Sequence, residues 1–271
     1  MRMHMRTIAI ALAGSVLAGC TPPAHQIAGA RGPAQISVFT PVGLNGVPQQ
    51  NENYRGTVPL LGRSIHLPEG EWTVLASQAF SVGNLGVVAV SIALVRHDGP
   101  QLRGIVEIAT NTRAASRGIP LSNVCVTSDV LWNDVREAVP FGRQDCSAIG
   151  FQRPVLWREN QKSFNHQIAQ ALDALNVQTP NVLVSLAVHE TSGGWFIGET
   201  WHQNPDAAGI TPDLSTQRAQ SAWAAFNLAK DPAKAAFVDR LKSEAPAIRT
   251  NLRTLLEAPP PYIPATGLTP A

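Results

Sequence analysis

Apolar and polar positions alternate with a period of two across the first half of the chain and recur at helical spacing across the second. In residues 72–82 the even positions hold Trp72, Val74, Ala76, Phe80 and Val82 while Thr73, Ser77 and Ser81 take odd ones, the alternation of a strand with one buried face. Residues 86–95 are apolar on both sides, with large Val88, Val90, Ile92 and Leu94 opposing small Ala89, Ser91 and Ala93. That predicts a central strand whose small face lies under a helix. Asp98-Gly99-Pro100 reads as a turn, after which Leu102, Val106 and Ile108 alternate with Arg103 and Glu107. A further strand is predicted over residues 122–132, with Val124, Val126, Val130 and Trp132 on one side and Cys125 on the other. These strands form an expected antiparallel meander.

Phe164, Ile168, Ala171, Leu172 and Leu175 predict a helix over residues 161–176, capped by Ser163 or Asn160. Residues 181–189 and 195–202 flank Thr191-Ser192-Gly193-Gly194, which predicts a β-hairpin with a loop of two to four residues. From Pro212 to about residue 257 the pattern is helical, and Asp231-Pro232 and Ala245-Pro246 are each expected to end one helix and start another. Trp223, Phe226, Phe237 and Leu241 follow that spacing and are expected to pack in the core. Five prolines in residues 258–271 predict an extended or disordered tail. The expected fold is α+β: an antiparallel β-meander sheet followed by helix, β-hairpin and C-terminal helices, in one globular domain over residues 36–257.

The first twenty residues carry a different signal. Arg2 and Arg6 precede an apolar run over residues 7–16, and Leu17-Ala18-Gly19-Cys20 follows at once, the layout of an export signal. The apolar run is about half the roughly 20 residues a spanning helix needs. Leu17, Ala18, Gly19 and Cys20 resemble the lipobox of bacterial lipoproteins. The resemblance implies cleavage of a signal peptide (residues 1–19), acylation of the Cys20 thiol, and stable attachment to membrane lipid by more than one acyl chain. Thr21 at the following position, rather than Asp, implies transfer to the outer membrane, facing the periplasm. Residues 20–35, with Pro22, Pro23, Gly29, Gly32 and Pro33, read as a flexible tether. The alternative is an ordinary signal peptide with a chance cysteine, which would leave a mature protein without an anchor.

Removing the leader changes the charge. Twenty-one basic and 19 acidic residues give +2 for the whole chain, but Arg2 and Arg6 leave with the leader and no acidic residue does. The mature chain is then neutral and has no Lys/Arg run, which sets nucleic acid aside as a partner. Apart from Cys20 only Cys125 and Cys146 remain. An even pair in an exported chain is expected to form a disulfide, contributing about 3 kcal/mol on the chain-entropy model. Free or metal-binding thiols are the alternative, which the absence of a CxxC spacing and of any intervening histidine disfavours.

The common catalytic signatures, GxSxG, HExxH, GxGxxG and the phosphate-binding glycine loop, do not occur, and no cofactor or metal is expected. What remains is the segment over residues 189–202, which concentrates His189, Glu190, Trp195, Glu199, Trp201 and His202. Histidine and glutamate shuttle protons or hold metals, and tryptophan lines ligand pockets. With a four-residue loop, Glu190 pairs with Trp195 and His202 falls opposite Leu183, about 20 Å from His189, too far for one metal. Arg113 and Arg117 are candidate anion-binding residues in the loop over residues 111–118, or are simply solvated. His66, His97 and His166 are isolated and read as surface or capping residues.

Three functions follow as expectations. The first is a membrane-anchored periplasmic lipoprotein that binds an envelope protein, glycan or lipid, or serves a structural role, without catalysis. The second is a hydrolase or lyase of envelope polymers using His189, Glu190 or Glu199, which requires two of them to converge. The third is an accessory subunit of a secretion or outer-membrane assembly, reached by the tethers at both ends.

Overall fold

Eight strands make one antiparallel sheet in the order β1-β2-β3-β4-β8-β7-β6-β5, so the chain lays down two meanders that meet along β4 and β8. The computed structural model describes residues 46–82, 86–215 and 217–258. The expected signal peptide, Cys20, the tether and all of the expected tail but Ala258 lie outside the described residues. The strands are β1 (Asn53–Leu60), β2 (Arg63–Ser81), β3 (Val88–Asp98), β4 (Gln101–Asn111), β5 (Trp132–Ala138), β6 (Gln144–Gln152), β7 (Leu183–Ser192) and β8 (Trp195–Gln203). Helices are α1 (Asn123–Val126), α2 (Phe164–Ala174), α3 (Ala225–Leu228) and α4 (Pro232–Glu257). The fold is mixed α+β around an eight-stranded antiparallel sheet.

β2 is a bent strand. Its second half pairs with β3, placing Ala79 in one row with Val90 and Thr110. Yet Arg63, at the other end of β2, donates from Nη1 to Thr110 Oγ1 at 2.6 Å, although a straight strand would hold the two ends roughly 50 Å apart. The hairpin of β1 with the first half of β2 therefore folds back over the sheet as an arm. The bend uses Pro68 and Gly70, whose φ of 124° suits glycine, and the indole of Trp72 donates to the Pro68 carbonyl at 2.8 Å. Between Arg55 and Thr57 of β1 the register shifts, a step of two positions there standing against a step of five from His66 to Glu71 on β2.

Arm and α4 share one face of the sheet, the front. Val58, Leu60 and Ile65 from the arm, Ile92, Leu94, Val106 and Ile108 from the sheet, and Phe237, Leu241, Ile248 and Leu252 from α4 form the main core, each fully buried side chain contributing about 1.5–3 kcal/mol. α4 begins where Asp231 accepts from the Ala233 and Lys234 amides and Pro232 supplies the preset φ. Pro246, expected to divide the helix, lies inside it. The apolar positions Ala245, Ile248 and Leu252 continue in phase across the proline, so tertiary packing outweighs the one lost backbone bond.

The back face is covered in two patches. α2, capped by Ser163 on the His166 amide at 3.1 Å, lays Ile168, Ala169 and Leu172 on Ala93, Ile105 and Leu183. Ala115 and Ile119 of the loop after β4 cover Ala89 and Phe196. The small side of β3 thus lies under a helix at one end and under a loop at the other.

Two sequence expectations are corrected. Residues 122–132 do not form one strand: Ser122 caps α1 through the Val124 amide, Val126 is exposed, and extended structure starts only at Trp132. The even positions of residues 72–82 do not share a face, because a bulge between Val74 and Ala76 moves the later ones to the back. In addition, Phe226 is 65% exposed, while Trp223, Phe237 and Leu241 pack in the core. Cys125 and Cys146 form a disulfide with Cα atoms 5.2 Å apart, joining α1 to β6.

Candidate functional site

The hairpin β7–β8 turns on Gly193 (φ 56°) and Gly194 (φ 80°), with Ser192 paired to Trp195. Two positive φ values in a row are the hairpin turn that glycine pairs favour. A Cβ on Gly194 would lie 2.3 Å from the Ala115 carbonyl oxygen, and the Ala115 amide donates to the Gly194 carbonyl at 2.8 Å, so the loop after β4 clamps this turn. The two-residue turn sets His189 opposite Gly198 and His202 opposite Ser185, in place of the register that a four-residue loop implies.

That register separates the candidate residues. Trp195, Glu199, Trp201 and Glu190 face the front, whereas His189 and His202 face the back, four residues of rise or about 13 Å apart. Glu190 and Glu199 are both buried. Arg249 of α4 contacts Asp145 at 2.7 Å, Asp134 at 2.5 Å and Ser147 at 2.8 Å, and its Nε is 3.9 Å from Glu190. Arg253 bonds Asp145 and approaches Glu190 at 3.4 Å. Three carboxylates thus share two guanidinium groups. Burial, reinforced by Asp145, pushes Glu190 up to about 8 against the pull of the two arginines, so at neutral pH Glu190 keeps its proton and the cluster is balanced. Hydrogen bonding from Arg249 holds Asp134 below the ordinary carboxylate range.

Glu199 stands apart from that cluster. Its Oε1 accepts from the Trp201 indole at 2.5 Å, its Oε2 has no partner among the described residues, and burial pushes it up to about 8. On the other face, burial pulls His189 down to about 4, so its ring is neutral, stacked on Phe196 at 5.9 Å. His189, Glu190 and Glu199 do not converge on a point.

His202 is instead the middle of a hydrogen-bonded chain. Its Nδ1 lies 2.7 Å from Ser185 Oγ and its Nε2 lies 2.7 Å from Glu107 Oε1. With the ring singly protonated, Nε2–H donates to the Glu107 carboxylate and Nδ1 accepts from the Ser185 hydroxyl. Trp157 covers the ring edge-on at 5.7 Å. Glu107 is the partly exposed end and Ser185 the buried one. Neither Glu107 nor Ser185 has a local signature, since each merely occupies its turn in an alternating strand.

A cleft of about 300 Å³ opens where the arm leaves the sheet, lined among others by Pro68, Trp72, Arg96, Arg103, Gln203 and Asn204. Its floor is open because residue 104 is glycine: a Cβ there would lie 2.9 Å from the His202 carbonyl oxygen and 3.5 Å from the Trp72 ring. Arg103 is fixed by Asp98 at 2.7 Å and by the Ala207 carbonyl at 2.9 Å, and Asn204 is tied to the Leu102 carbonyl at 2.7 Å. Arg96, which donates to the Glu69 carbonyl at 2.7 Å, stays exposed. Size and lining suit a small polar ligand with anionic or hydroxyl groups.

The remaining sequence candidates lie elsewhere. Arg113 is exposed and donates to the Gly86 carbonyl, and Arg117 is exposed. Among the described residues no three His, Cys, Asp or Glu side chains group to hold a metal, and no helix is long and apolar enough to cross a membrane. The chain matches no protein-family model, and no curated protein and no solved structure matches it.

Proposed function

We propose that the chain is a periplasmic lipoprotein, held at the outer membrane through acylated Cys20, whose domain binds a polar envelope ligand, a glycan, without catalysis. The cleft at the base of the arm carries the binding part of this reading. It offers Arg96 and Gln203 beside a rigid frame of Arg103, Asn204 and Trp72, the concave site with a few fixed polar groups that small ligands use. The disulfide between Cys125 and Cys146 supports export, because such bonds form and persist in oxidising compartments outside the cytosol. Sedimentation of the full chain with purified peptidoglycan tests the ligand. Wild type should co-sediment and the Arg96→Ala, Gln203→Ala double variant should lose at least tenfold in affinity; equal recovery of both removes the cleft from the account.

A second reading rests on the chain Ser185–His202–Glu107. A histidine between a hydroxyl and a carboxylate is like the arrangement that activates a serine nucleophile, with the two ring nitrogens exchanged, so hydrolysis of an envelope polymer would run through these residues rather than Glu190 or Glu199. Fluorophosphonate labelling discriminates. Covalent modification lost in Ser185→Ala favours the hydrolase, and an unlabelled wild type favours binding.

A further inference from the structure

At the end of the strands opposite the cleft, the chain turns in residues 82–87 between β2 and β3, 112–121 after β4, 139–143 between β5 and β6, and Gly193-Gly194 between β7 and β8. These stretches hold Arg113, Arg117 and Arg143 and no Asp or Glu, in a chain of 21 basic and 19 acidic residues. All three arginines are exposed. Arg143 has one acidic neighbour, Glu137 of β5 at 3.3 Å, and Arg113 donates to the Gly86 carbonyl. Two apolar side chains stand among these cations, Phe141 at 55% exposure and Val139 at 49%. The turn that carries them is tied down nonetheless: the Phe141 amide donates to the Ile119 carbonyl at 3.0 Å, Thr191 Oγ1 to the Gly142 carbonyl at 2.8 Å, and the Val139 amide to the Arg143 carbonyl at 3.0 Å. Phe141 has φ 60°, a left-handed conformation that a bulky residue rarely takes. Beneath it lies Gly118, where a Cβ would stand 1.9 Å from the Phe141 carbonyl oxygen. A fixed turn thus holds an aromatic ring out to solvent against backbone strain, and such strain persists where the surroundings or a function maintain it.

The described chain also begins and finishes at this end. The Gly46 carbonyl accepts from the Leu61 amide at 2.7 Å at the tip of the arm, and Arg63 ties that tip to Thr110, one residue before the end of β4. The last turns of α4 lie beside Asp145 and Glu190, which Arg253 reaches, at the same end of β6 and β7. The segment that leads from Cys20 therefore joins the domain beside Phe141 and the three arginines, whereas Asp98, Gly104 and Gln203 of the cleft stand at the far ends of their strands.

We propose that this end of the domain rests on the lipid bilayer that holds the anchor, with Phe141 and Val139 entering the interface and Arg113, Arg117 and Arg143 against lipid phosphates. The proposal rests on the acylation of Cys20. Aromatic and aliphatic side chains flanked by basic ones suit the boundary between headgroups and acyl chains, and an anionic lipid surface attracts cations that lie within a Debye length of it. The acyl chains keep the protein at the membrane, while this surface sets its orientation and turns the cleft away from the bilayer.

Fluorine resonances of the acylated protein, labelled with fluorophenylalanine and held in nanodiscs of phosphatidylethanolamine and phosphatidylglycerol, test it. Phe226 serves as the control, since it is 65% exposed and precedes α4, at the opposite end of that helix from Arg253. The two lines are assigned by their loss in Phe141→Leu and Phe226→Leu. A nitroxide on the lipid close to the headgroup should broaden the Phe141 line at least about threefold more than the Phe226 line, and a paramagnetic chelate dissolved in the water should do the reverse. Phosphatidylcholine in place of phosphatidylglycerol, or the combined variant Arg113→Gln, Arg117→Gln, Arg143→Gln, should reduce the lipid effect at Phe141 by at least about half. Palmitate labelling of the same preparation reports the anchor separately. Palmitate-labelled protein in which the nitroxide broadens both lines equally, or in which Phe141 is shielded from the chelate yet untouched by the lipid nitroxide, as a covering protein would leave it, overturns the proposal and leaves the anchor standing. Protein without palmitate removes both.

Discussion

Glu190 on β7 stands directly opposite Asp145 on β6, and Arg253 of α4 reaches both carboxyl groups. Two acidic groups facing each other inside a protein cannot both ionise cheaply, and Glu190 is the one that holds the proton. Its raised value, about 8, means that the unfolded chain binds fewer protons than the folded one between pH 4.5 and about 8. Stability therefore falls through that window as pH rises, by about 1.4 kcal/mol per pH unit for this group. Glu190→Gln should flatten the slope and be more stable than wild type above pH 8, as read by urea unfolding at pH 6 and pH 8.5. A slope unchanged by the substitution would remove Glu190 from the balance.

At the acid end the sign reverses for His189. Its ring, lowered to about 4 in the folded protein, takes up a proton on unfolding between about pH 4 and 6.5, so acidification through that range lowers stability. His189→Gln should lessen the loss between pH 6.5 and 4.5, measured by the same unfolding curves, with no difference from wild type in the pH dependence above 7.

Arg249 is the cation that α4 inserts among Asp134, Asp145 and Ser147. Arg249→Met leaves the buried Asp145 and the partly exposed Asp134 short of their partner and should destabilise by about 3–5 kcal/mol. Adding Asp145→Asn should recover part of that loss. An Arg249→Met variant within 0.5 kcal/mol of wild type, a threshold set at about the error of such measurements, would show that the ion pairs contribute nothing net.

Little of this buried charge was legible in the sequence, and the reasons are specific. The alternation around Glu190 and Glu199 identifies the hairpin, but which residues stand opposite each other depends on turn length, and Gly193-Gly194 alone does not say whether two or four residues turn. The clamp that decides it comes from Ala115, 79 positions earlier in the chain, a tertiary contact with no local trace. Pro246 misleads in the opposite sense, since a local rule for helix ends is overridden by core residues on both sides of it. The meander, α2 and the hairpin were readable because each has a strong period and its own cap or turn. The arm was not, because nothing around Pro68 and Gly70 distinguishes a bent strand from two strands, and with it the cleft and Arg63 went unread.

Gly194 offers the sharpest test of the clamp. With φ at 80° and a would-be Cβ 2.3 Å from the Ala115 oxygen, Gly194→Ala should destabilise by at least about 2–3 kcal/mol, combining left-handed backbone strain with a clash. Gly193, whose Cβ would meet nothing within 4 Å, should cost only about 1–2 kcal/mol when changed to Ala. Equal effects in thermal unfolding would mean that the turn is not held by the loop after β4.

The anchor is tested most directly by metabolic labelling with radioactive palmitate in cells expressing the full chain or its Cys20→Ser variant, followed by separation of membranes from soluble protein. The wild-type chain should carry label and travel with outer membranes, while the variant should carry none and appear in the soluble fraction. Label of equal intensity on the variant, still recovered with vesicles, would contradict acylation of Cys20 and the envelope function built on it.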